Sequence, residues 1–277
     1  MKLLAVAVAG RGLVDPGDPV FGAGDEALLR GRAAFETTRV YGGRPFRLSD
    51  HLERLSASSA SLLLPAPDVQ ECERLAAAAI EASGEVNVGL RLYWTGATLA
   101  VLAAAIPAEL EGLRRRGLHL VSLPLGVDPA RPAWLLLGVK STSYAVNMAG
   151  EAEARRRGGD DALFLANGNV VLEGPISNVW WRRGKTLYTP ALEVGVLAGV
   201  TRATLLELAP ALDYGIVEGE FVLDDLRGAD EAFTSSSVRE VLPVVRLDGE
   251  PIGTGVPGAA ARSLQEALRE RATDTGA

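Results

Sequence analysis

The chain has 277 residues, of which 48% are hydrophobic and 23% charged, and a formal net charge of −7 at pH 7. This composition is typical of a globular protein with one large core or two modest ones, and it excludes a disordered chain. The negative charge and low aromatic content argue against a nucleic-acid partner, and no apolar run approaches the ~20 residues of a membrane span.

Cysteine and histidine are too scarce for several kinds of site. Cys72 is the lone cysteine, and the two histidines are His51 and His119. The chain therefore has no internal disulfide and no multi-cysteine metal site, and a zinc centre or a Ser-His-Asp triad has little to be built from. We expect no metal site, and we expect lysine, carboxylates, tyrosine and arginine to carry any chemistry.

The first part of the chain predicts alternating strands and helices. Residues 1–9 imitate a signal peptide but are too few for one, so they predict a strand. Hydrophobic periodicity and turn residues predict a strand at Thr37–Tyr41, helices at Ser49–Leu63 with Ser49 as cap and at Val69–Ala82, and strands at Val86–Trp94 and Leu99–Ala105.

The second part predicts short antiparallel strands between helices. Leu123–Pro132, with three prolines and a glycine, is the best linker candidate. We expect an α+β protein with a small domain over 1–120, a linker over 121–132 and a larger domain over 133–277. The predicted elements are an apolar strand ending at Lys140, helices at Tyr144–Arg157, at Thr201–Leu208 with Thr201 as cap and at Ala259–Arg271, and strands at Ala162–Leu165, Val170–Glu173, Asn178–Trp181, Leu187–Thr189 and within Asp230–Val245.

Lys140 is a candidate covalent catalyst. Lysine occurs only at Lys2, Lys140 and Lys185 in a chain rich in arginine. Lys2 is terminal and Lys185 lies in a predicted hairpin turn, whereas Lys140 ends an apolar run, where a cation is costly to bury. An amine can be neutralised and form a Schiff base with an aldehyde or ketone, which a guanidinium cannot do. The alternative is a lysine that reaches solvent from a strand end.

An amine catalyst of this kind commonly serves pyridoxal phosphate, which also needs a carboxylate at its ring nitrogen and a phosphate cup. Glu173 ends an apolar strand and offers the carboxylate. The glycine-containing loop before Thr201 leads into a helix, whose first amides suit a phosphate. Ser235-Ser-Ser237 and Arg54 could add donors. Taken singly, these residues also fit an exposed glutamate and an ordinary capped helix.

These residues resemble the class IV, fold type IV pyridoxal-phosphate aminotransferases, which include branched-chain and D-amino acid transaminases and aminodeoxychorismate lyase. The resemblance covers nearly the whole chain, and the Glu-Gly-x-x-Ser-Asn and Gly-Val-Thr-Arg blocks are its most specific parts. The motifs are Phe35-Glu-Thr-Thr-Arg39, His51-Leu-Glu-Arg54-Leu, Lys140, Glu173-Gly-Pro-Ile-Ser-Asn178, Leu197-Ala-Gly-Val-Thr201-Arg and Glu240-Val-Leu-Pro-Val244.

The resemblance implies a small N-terminal α/β sandwich domain, a larger C-terminal domain with a pseudo-barrel of short strands flanked by helices, and a cytoplasmic homodimer. Its substrates would be amino acids and 2-oxo acids. It implies Lys140 as Schiff-base lysine and proton shuttle, Glu173 at the pyridinium nitrogen and Leu197 against the ring. It implies further cofactor contacts from Arg54, Val200, Thr201, Ser236 and Ser237.

The subgroup depends on how the substrate carboxylate is held. The chain is most similar to less common D-amino acid transaminases with two arginines and a tyrosine, whose places Arg30, Arg91 and Tyr144 occupy. Arg30 would come from the partner subunit. The alternative for Arg30 is a salt bridge with a glutamate, and the alternative for Tyr144 is packing beneath the cofactor without contact to the carboxylate. Thr37 matches a threonine of aminodeoxychorismate lyase, which is the second candidate. The branched-chain function is less favoured because Arg30 replaces a tyrosine, and a cofactor-free binding protein is the remaining alternative.

Overall fold

The computed structural model describes residues 2–130, 132 and 134–274. The chain divides into two compact units. The first contains the chain up to Pro107 and the short segment Val139–Tyr144; the second contains Ala108–Gly138 and the chain from Ala145 onward. Within the part of the chain that is described, no helix combines the length and apolarity needed to cross a lipid bilayer.

The first unit is a six-stranded antiparallel sheet with the order β2-β1-β6-β5-β3-β4. Helices α2 and α3 supply leucines and alanines to one core with the strands, as their helical periodicity predicts. The elements are β1 (Leu3–Val8), β2 (Gly12–Val14), α1 (Glu26–Arg30), β3 (Ala34–Tyr41), β4 (Arg44–Pro45), α2 (Leu48–Ser61), α3 (Val69–Ser83), β5 (Val88–Trp94) and β6 (Leu99–Ala105).

The second unit is a nine-stranded mixed sheet with the order β12-β11-β10-β13-β14-β7-β8-β9, and β15 pairs with β14. Trp180 and Phe233 stack in its interior with ring centroids 6.0 Å apart. The elements are α4 (Leu110–Arg116), β7 (Leu118–Pro124), α5 (Ala145–Arg156), β8 (Asp161–Ala166), β9 (Val170–Val171), β10 (Asn178–Arg183), β11 (Thr186–Pro190), α6 (Val200–Leu208), β12 (Gly215–Gly219), α7 (Leu223–Arg227), β13 (Glu231–Ser236), β14 (Glu240–Leu247), β15 (Glu250–Pro251) and α8 (Ala259–Thr273).

The predicted domain boundaries differ from this division. The second unit begins at Ala108 rather than beyond residue 120, because β7 pairs in parallel with β8 and β14. The first part of the predicted linker 121–132 therefore belongs to strand β7. Of the three prolines in the linker, only Pro124 lies in this strand, and it is the last residue of the strand. Arg131 of that linker, Met1 of the predicted small domain, and Ala133 and residues 275–277 of the predicted large domain lie outside the described residues.

The strand predicted to end at Lys140 is absent from the described residues of this segment. Trp134 is 77% exposed and Leu136 is 43% exposed, and the segment consists of turns. Gly138 has φ +79°, a left-handed conformation that breaks an extended run. A short apolar run does not distinguish a buried strand from an exposed turn, because it has no periodicity of its own.

Two predicted helix caps are each wrong by two residues. Helix α2 begins at Leu48 after Arg47, and the Ser49 hydroxyl donates to the Asp50 carboxylate. Helix α6 begins at Val200, and its cap is Gly199 rather than Thr201. Because glycine has no side-chain oxygen, the cap of α6 leaves the first amides of the helix without a side-chain acceptor.

Two glycines at helix α4 are expected to respond oppositely to alanine. At Gly117, where φ is +77°, a Cβ atom would lie 2.3 Å from Cγ1 of Val245, so Gly117→Ala should lower the unfolding free energy by about 2 kcal/mol. At Gly112 a Cβ atom would meet nothing within 4 Å, so Gly112→Ala should raise that free energy by about 0.5 kcal/mol. Urea unfolding of the two variants measures both changes, and equal effects would contradict the described packing of Gly117.

Candidate active site

Lys140 extends the edge of the first unit's sheet. The Phe35 amide donates to the Lys140 carbonyl over 3.1 Å, and Ser141 forms an isolated bridge with Ala34 at the start of β3. The Lys140 amide donates to the Ser58 hydroxyl of α2 over 3.2 Å. The backbone of the lysine is therefore fixed by one strand and one helix, although it lies in neither.

The amine of Lys140 lies against aromatic rings. Its Nζ is 4.4 Å from the ring centroid of Phe35 and 5.8 Å from that of Tyr144. These two rings meet edge to face at 5.2 Å, and Phe35 also stacks on Tyr93 at 5.8 Å. The side chain is half-buried, and its amine lies over apolar surface rather than extended into solvent.

Successive side chains of β3 point to opposite faces of the sheet, which places Phe35 and Glu36 on different faces. Phe35 pairs with Tyr93 and Thr37 pairs with Arg91 across β5. Because paired residues share a face and neighbours alternate, Phe35, Thr37 and Arg91 lie on one face of the sheet. Glu36 lies on the other face. Lys140, Phe35 and Tyr144 are in contact, and Arg91 lies on the same sheet face as Phe35.

Glu36 is fully buried and holds a predicted cofactor ligand. Its carboxylate accepts hydrogen bonds from Nε and Nη2 of Arg54, each 2.7 Å long, and lies 2.7 Å from Nδ1 of His51. Burial raises the pKa of Glu36, but the bonds from Arg54 and His51 outweigh it and lower the pKa to about 2. Burial also lowers the pKa of His51, so its imidazole is neutral near pH 7 and Nδ1 donates the proton.

Sequence reasoning named Arg54 as a phosphate ligand and gave no role to Glu36 or His51. The structure shows that two nitrogens of Arg54 are bonded to Glu36, which fixes the plane of its guanidinium. The signal was present, because His51 and Arg54 are three residues apart and so share a helix face. Glu36 is a charged residue inside an otherwise apolar strand pattern, which also marks it as a residue that needs a partner.

Glu173 is oriented by groups from its own unit. One of its oxygens, Oε2, accepts from the Leu197 amide and from Nδ2 of Asn178, each over 3.0 Å. The same Nδ2 donates to the Leu197 carbonyl over 2.9 Å. Asn178 therefore joins the two residues predicted to contact the cofactor ring. Its role was missed, although the residue stands at the end of the Glu-Gly-x-x-Ser-Asn block.

The start of α6 suits an anion. Gly199 caps the helix without a side-chain bond, and a Cβ atom there would lie 2.1 Å from Oδ1 of Asn178, so glycine is required. The amides of Val200 and Thr201 have no acceptor among the residues that the structure describes, and both residues are buried. Donor amides at the positive end of a helix fit a phosphate group.

The remaining predicted residues lie on turns and helix ends. Arg30 is exposed at the end of α1 and forms no ion pair within the described chain; its neighbour Arg32 pairs instead with Glu26 at 2.5 Å. Ser236 is the last residue of β13, and Ser237 begins the following turn. The predicted role of Arg30, which would come from the partner subunit, stays a prediction.

Replacing Glu36 by glutamine is expected to remove a pH-dependent stabilisation. The folded pKa of about 2 lies below the ordinary value of 4.5, so the contribution of Glu36 to the unfolding free energy is complete above pH 4.5 and is lost as the pH falls toward 2. The shift corresponds to about 3 kcal/mol. Urea titrations from neutral to acidic pH should show that the difference between wild type and E36Q shrinks below pH 4.5.

Glu153→Gln is the matched control for this measurement. Hydrogen bonds from Arg156 and Arg157 also lower the pKa of Glu153 to about 2, but 31% of this side chain is exposed, so solvent screens its ion pairs. We expect E153Q to change stability little at any pH. A difference between wild type and E36Q that stays constant through the acidic range would contradict the role given to the buried carboxylate.

Comparison with known proteins agrees with this geometry. The sequence matches the family described as Amino-transferase class IV over residues 33–247. It is 32% identical to the bifunctional aminodeoxychorismate lyase / D-amino acid transaminase of Mycobacterium tuberculosis, with 86% of this chain and 89% of the relative covered. It is 30% identical to a putative branched-chain-amino-acid aminotransferase of Methanocaldococcus jannaschii, with 95% of each chain covered.

A solved structure shares the fold. The PLP-bound form of a hypothetical aminotransferase from Mycobacterium tuberculosis superposes with a TM-score of 0.90 at 29% identity, covering 97% of this chain and 99% of that one. The predicted fold type IV and the predicted resemblance are thereby confirmed. The chain belongs to the class IV aminotransferase family.

Proposed function

We propose that the protein is a pyridoxal-phosphate aminotransferase that moves amino groups between D-amino acids and 2-oxo acids, as a cytoplasmic homodimer. The observation that carries the proposal is the placement of the Lys140 amine over Phe35 and Tyr144, beside the sheet face that holds Arg91. The name of the M. tuberculosis relative, which includes D-amino acid transaminase, supports the choice of substrate.

Pyridoxal phosphate, when bound, supplies an aldehyde that reacts with amines and a ring that accepts the electron pair left by a departing α-proton. Lys140 Nζ would hold the cofactor between turnovers, and it would take the substrate α-proton and return it. The rings of Phe35 and Tyr144 lie against this amine and cover part of it. Thus one side chain serves both as nucleophile and as base.

The cofactor ligands that we propose are Arg54, Glu173, Leu197, Val200, Thr201, Ser236 and Ser237. Glu173, oriented by Asn178 and the Leu197 amide, would lie at the ring nitrogen and favour its protonated form. Val200 and Thr201 amides, with Ser236 and Ser237, would bind the phosphate. Arg54, fixed by Glu36, would add a cation to the same phosphate.

Arg91 is the proposed ligand of the substrate carboxylate. It is half-buried on the face of Phe35, where a guanidinium can form two parallel bonds to a carboxylate. Arg30 would contribute from the partner subunit, and Tyr144 would pack beside the reacting carbon.

Aminodeoxychorismate lyase activity is the second candidate. Thr37 pairs with Arg91 and lies on the same sheet face as Phe35, and the M. tuberculosis relative carries both names. This reaction uses the same cofactor to eliminate pyruvate and leave 4-aminobenzoate. Formation of 4-aminobenzoate from 4-amino-4-deoxychorismate, measured beside amino transfer from D-alanine, distinguishes the two activities.

The first test is the visible spectrum of the purified protein with its cofactor. D-alanine or D-glutamate should bleach the long-wavelength band as the cofactor passes from its aldehyde to its amine form, and the L-enantiomers should not. Lys140→Ala should abolish this change because no base remains for the α-proton. Lys185→Ala, at an exposed lysine, is the control and should leave it intact.

Three results would separate the alternatives. Bleaching by L-amino acids instead of D-amino acids would favour a branched-chain or other L-specific enzyme. A band that no amino acid affects would favour the lyase. A protein that takes up no cofactor would overturn the enzyme proposal itself.

Arg91→Met should raise KM for D-alanine by about ten- to a hundredfold, because a charged hydrogen bond to the carboxylate is lost. The effect on kcat should be smaller, since the reacting carbon is held by other groups. Arg115→Met, at an exposed arginine, is the matched control and should leave steady-state kinetics unchanged. An unchanged KM in Arg91→Met would remove this residue from the carboxylate site.

A further inference from the structure

Glu240 has a backbone conformation that glycine adopts more easily. It opens β14 after the turn that follows Ser236, and its φ is +59°, in the left-handed region. Its side chain is fully buried. The contacts of the Glu240 carboxylate must offset the cost of this conformation, because the backbone alone would favour glycine.

The carboxylate of Glu240 is bound by three side chains from two helices. Its Oε2 accepts from Nη2 of Arg114 in α4, from Nε2 of Gln265 in α8 and from Nη2 of Arg269 in α8, each over 2.8 Å. Nε of Arg269 lies 3.2 Å from each oxygen. A buried carboxylate with this number of donors is strongly fixed in position.

The same helices hold the backbone on both sides of Glu240. Nη2 of Arg114 donates to the Arg239 carbonyl over 2.9 Å, and the Val241 amide donates to Oε1 of Gln265 over 2.8 Å. Nη1 of Arg239 donates to the buried Asp161 carboxylate over 2.5 Å. The chain that leaves the turn, Arg239–Val241, is thus hydrogen-bonded to helices or to a strand at each of its three residues.

The incoming arm of this turn carries Ser236 and Ser237. Ser236 pairs with Glu240, and the preceding Ser235 pairs with Asn178 and accepts a hydrogen bond from Nε1 of Trp180. Asn178 is the residue that orients Glu173. The pairing therefore connects Glu240 through two strands to the carboxylate proposed for the cofactor ring.

We propose that Glu240, clamped by Arg114, Gln265 and Arg269, is a positioning residue that sets the Ser236–Ser237 turn for binding the phosphate of the cofactor. This inference rests on the proposed function. Glu240 acts through the backbone of the turn and touches neither cofactor nor substrate. Its effect should therefore depend on whether the ligand carries a phosphate.

The test compares the binding of pyridoxal 5′-phosphate and of pyridoxal to the full chain after removal of cofactor. Glu240→Gln keeps the side-chain shape but removes the charge, and Glu240→Gly relieves the backbone conformation but removes the carboxylate. Both variants should bind pyridoxal 5′-phosphate about tenfold more weakly or worse, with pyridoxal affinity changed by less than about twofold. Titration followed by the absorbance of the bound ligand gives both constants.

Asp213→Gly is the matched control for the backbone change. Asp213 has φ +62° in the same unit and is exposed, so its replacement relieves the same conformation away from the turn. Both affinities should remain at the wild-type value. If Glu240→Gln does not fold, Gln265→Met applies the same comparison, because it removes one donor to Glu240 and the acceptor of the Val241 amide.

The outcomes separate this inference from the proposed function. A wild-type chain that does not prefer pyridoxal 5′-phosphate over pyridoxal overturns both, since there is then no phosphate site to position. A wild-type chain with that preference, and Glu240 variants that keep it, overturns the positioning role alone. Equal weakening of both ligands in folded variants also overturns it, because that result indicates a general structural loss.

Discussion

A carboxylate without solvent exposure must find its partners inside the protein, and this constraint governs both units. Glu36 and Glu240 are each fully buried, and each is bound by arginine together with a neutral or weakly basic side chain. In the first unit the consequence is a fixed Arg54; in the second it is a turn attached to two helices. Removing one member of such a set leaves an unpaired charge or polar group in a medium of low dielectric constant, which is the costly outcome.

The side chains proposed to bind the cofactor lie mostly where regular structure begins or ends. Lys140 lies beside a strand without belonging to it, Glu173 follows β9, and Val200 and Thr201 open a helix. At these places backbone amides and carbonyls are not all used by the element itself, so they are available to orient side chains or ligands. The rigid sheets serve the site indirectly, through alternation that directs Phe35 and Glu36 to opposite faces.

Much of this arrangement could be predicted from the sequence. The periodicity of α3 and α8 and the alternation of β5, β6 and β10 gave elements close to those observed, and the motif blocks gave the family. The start of α2 was not predicted from Ser49. The capping residue is determined by backbone angles, and the sequence favours certain angles without fixing them. The strand before Lys140 was wrong because apolar character alone does not report burial. Asn178 and Glu240 gained their roles only from the structure, since their partners Leu197, Arg114 and Arg269 are distant in sequence.

The segment Val139–Tyr144 packs with the first unit although the residues on both sides of it belong to the second. Backbone groups of Ala33, Ala34 and Phe35 attach it to the start of β3, and the Lys140 amine and the Tyr144 ring add side-chain contacts with Phe35. For chimaeras and domain exchange, this means that a cut at Pro107 would transfer the sheet of the first unit without Lys140, the lysine proposed to bind the cofactor. A recombined enzyme that keeps its chemistry must inherit two separate pieces of chain from the same parent, so crossovers within this family are constrained by contacts rather than by sequence order.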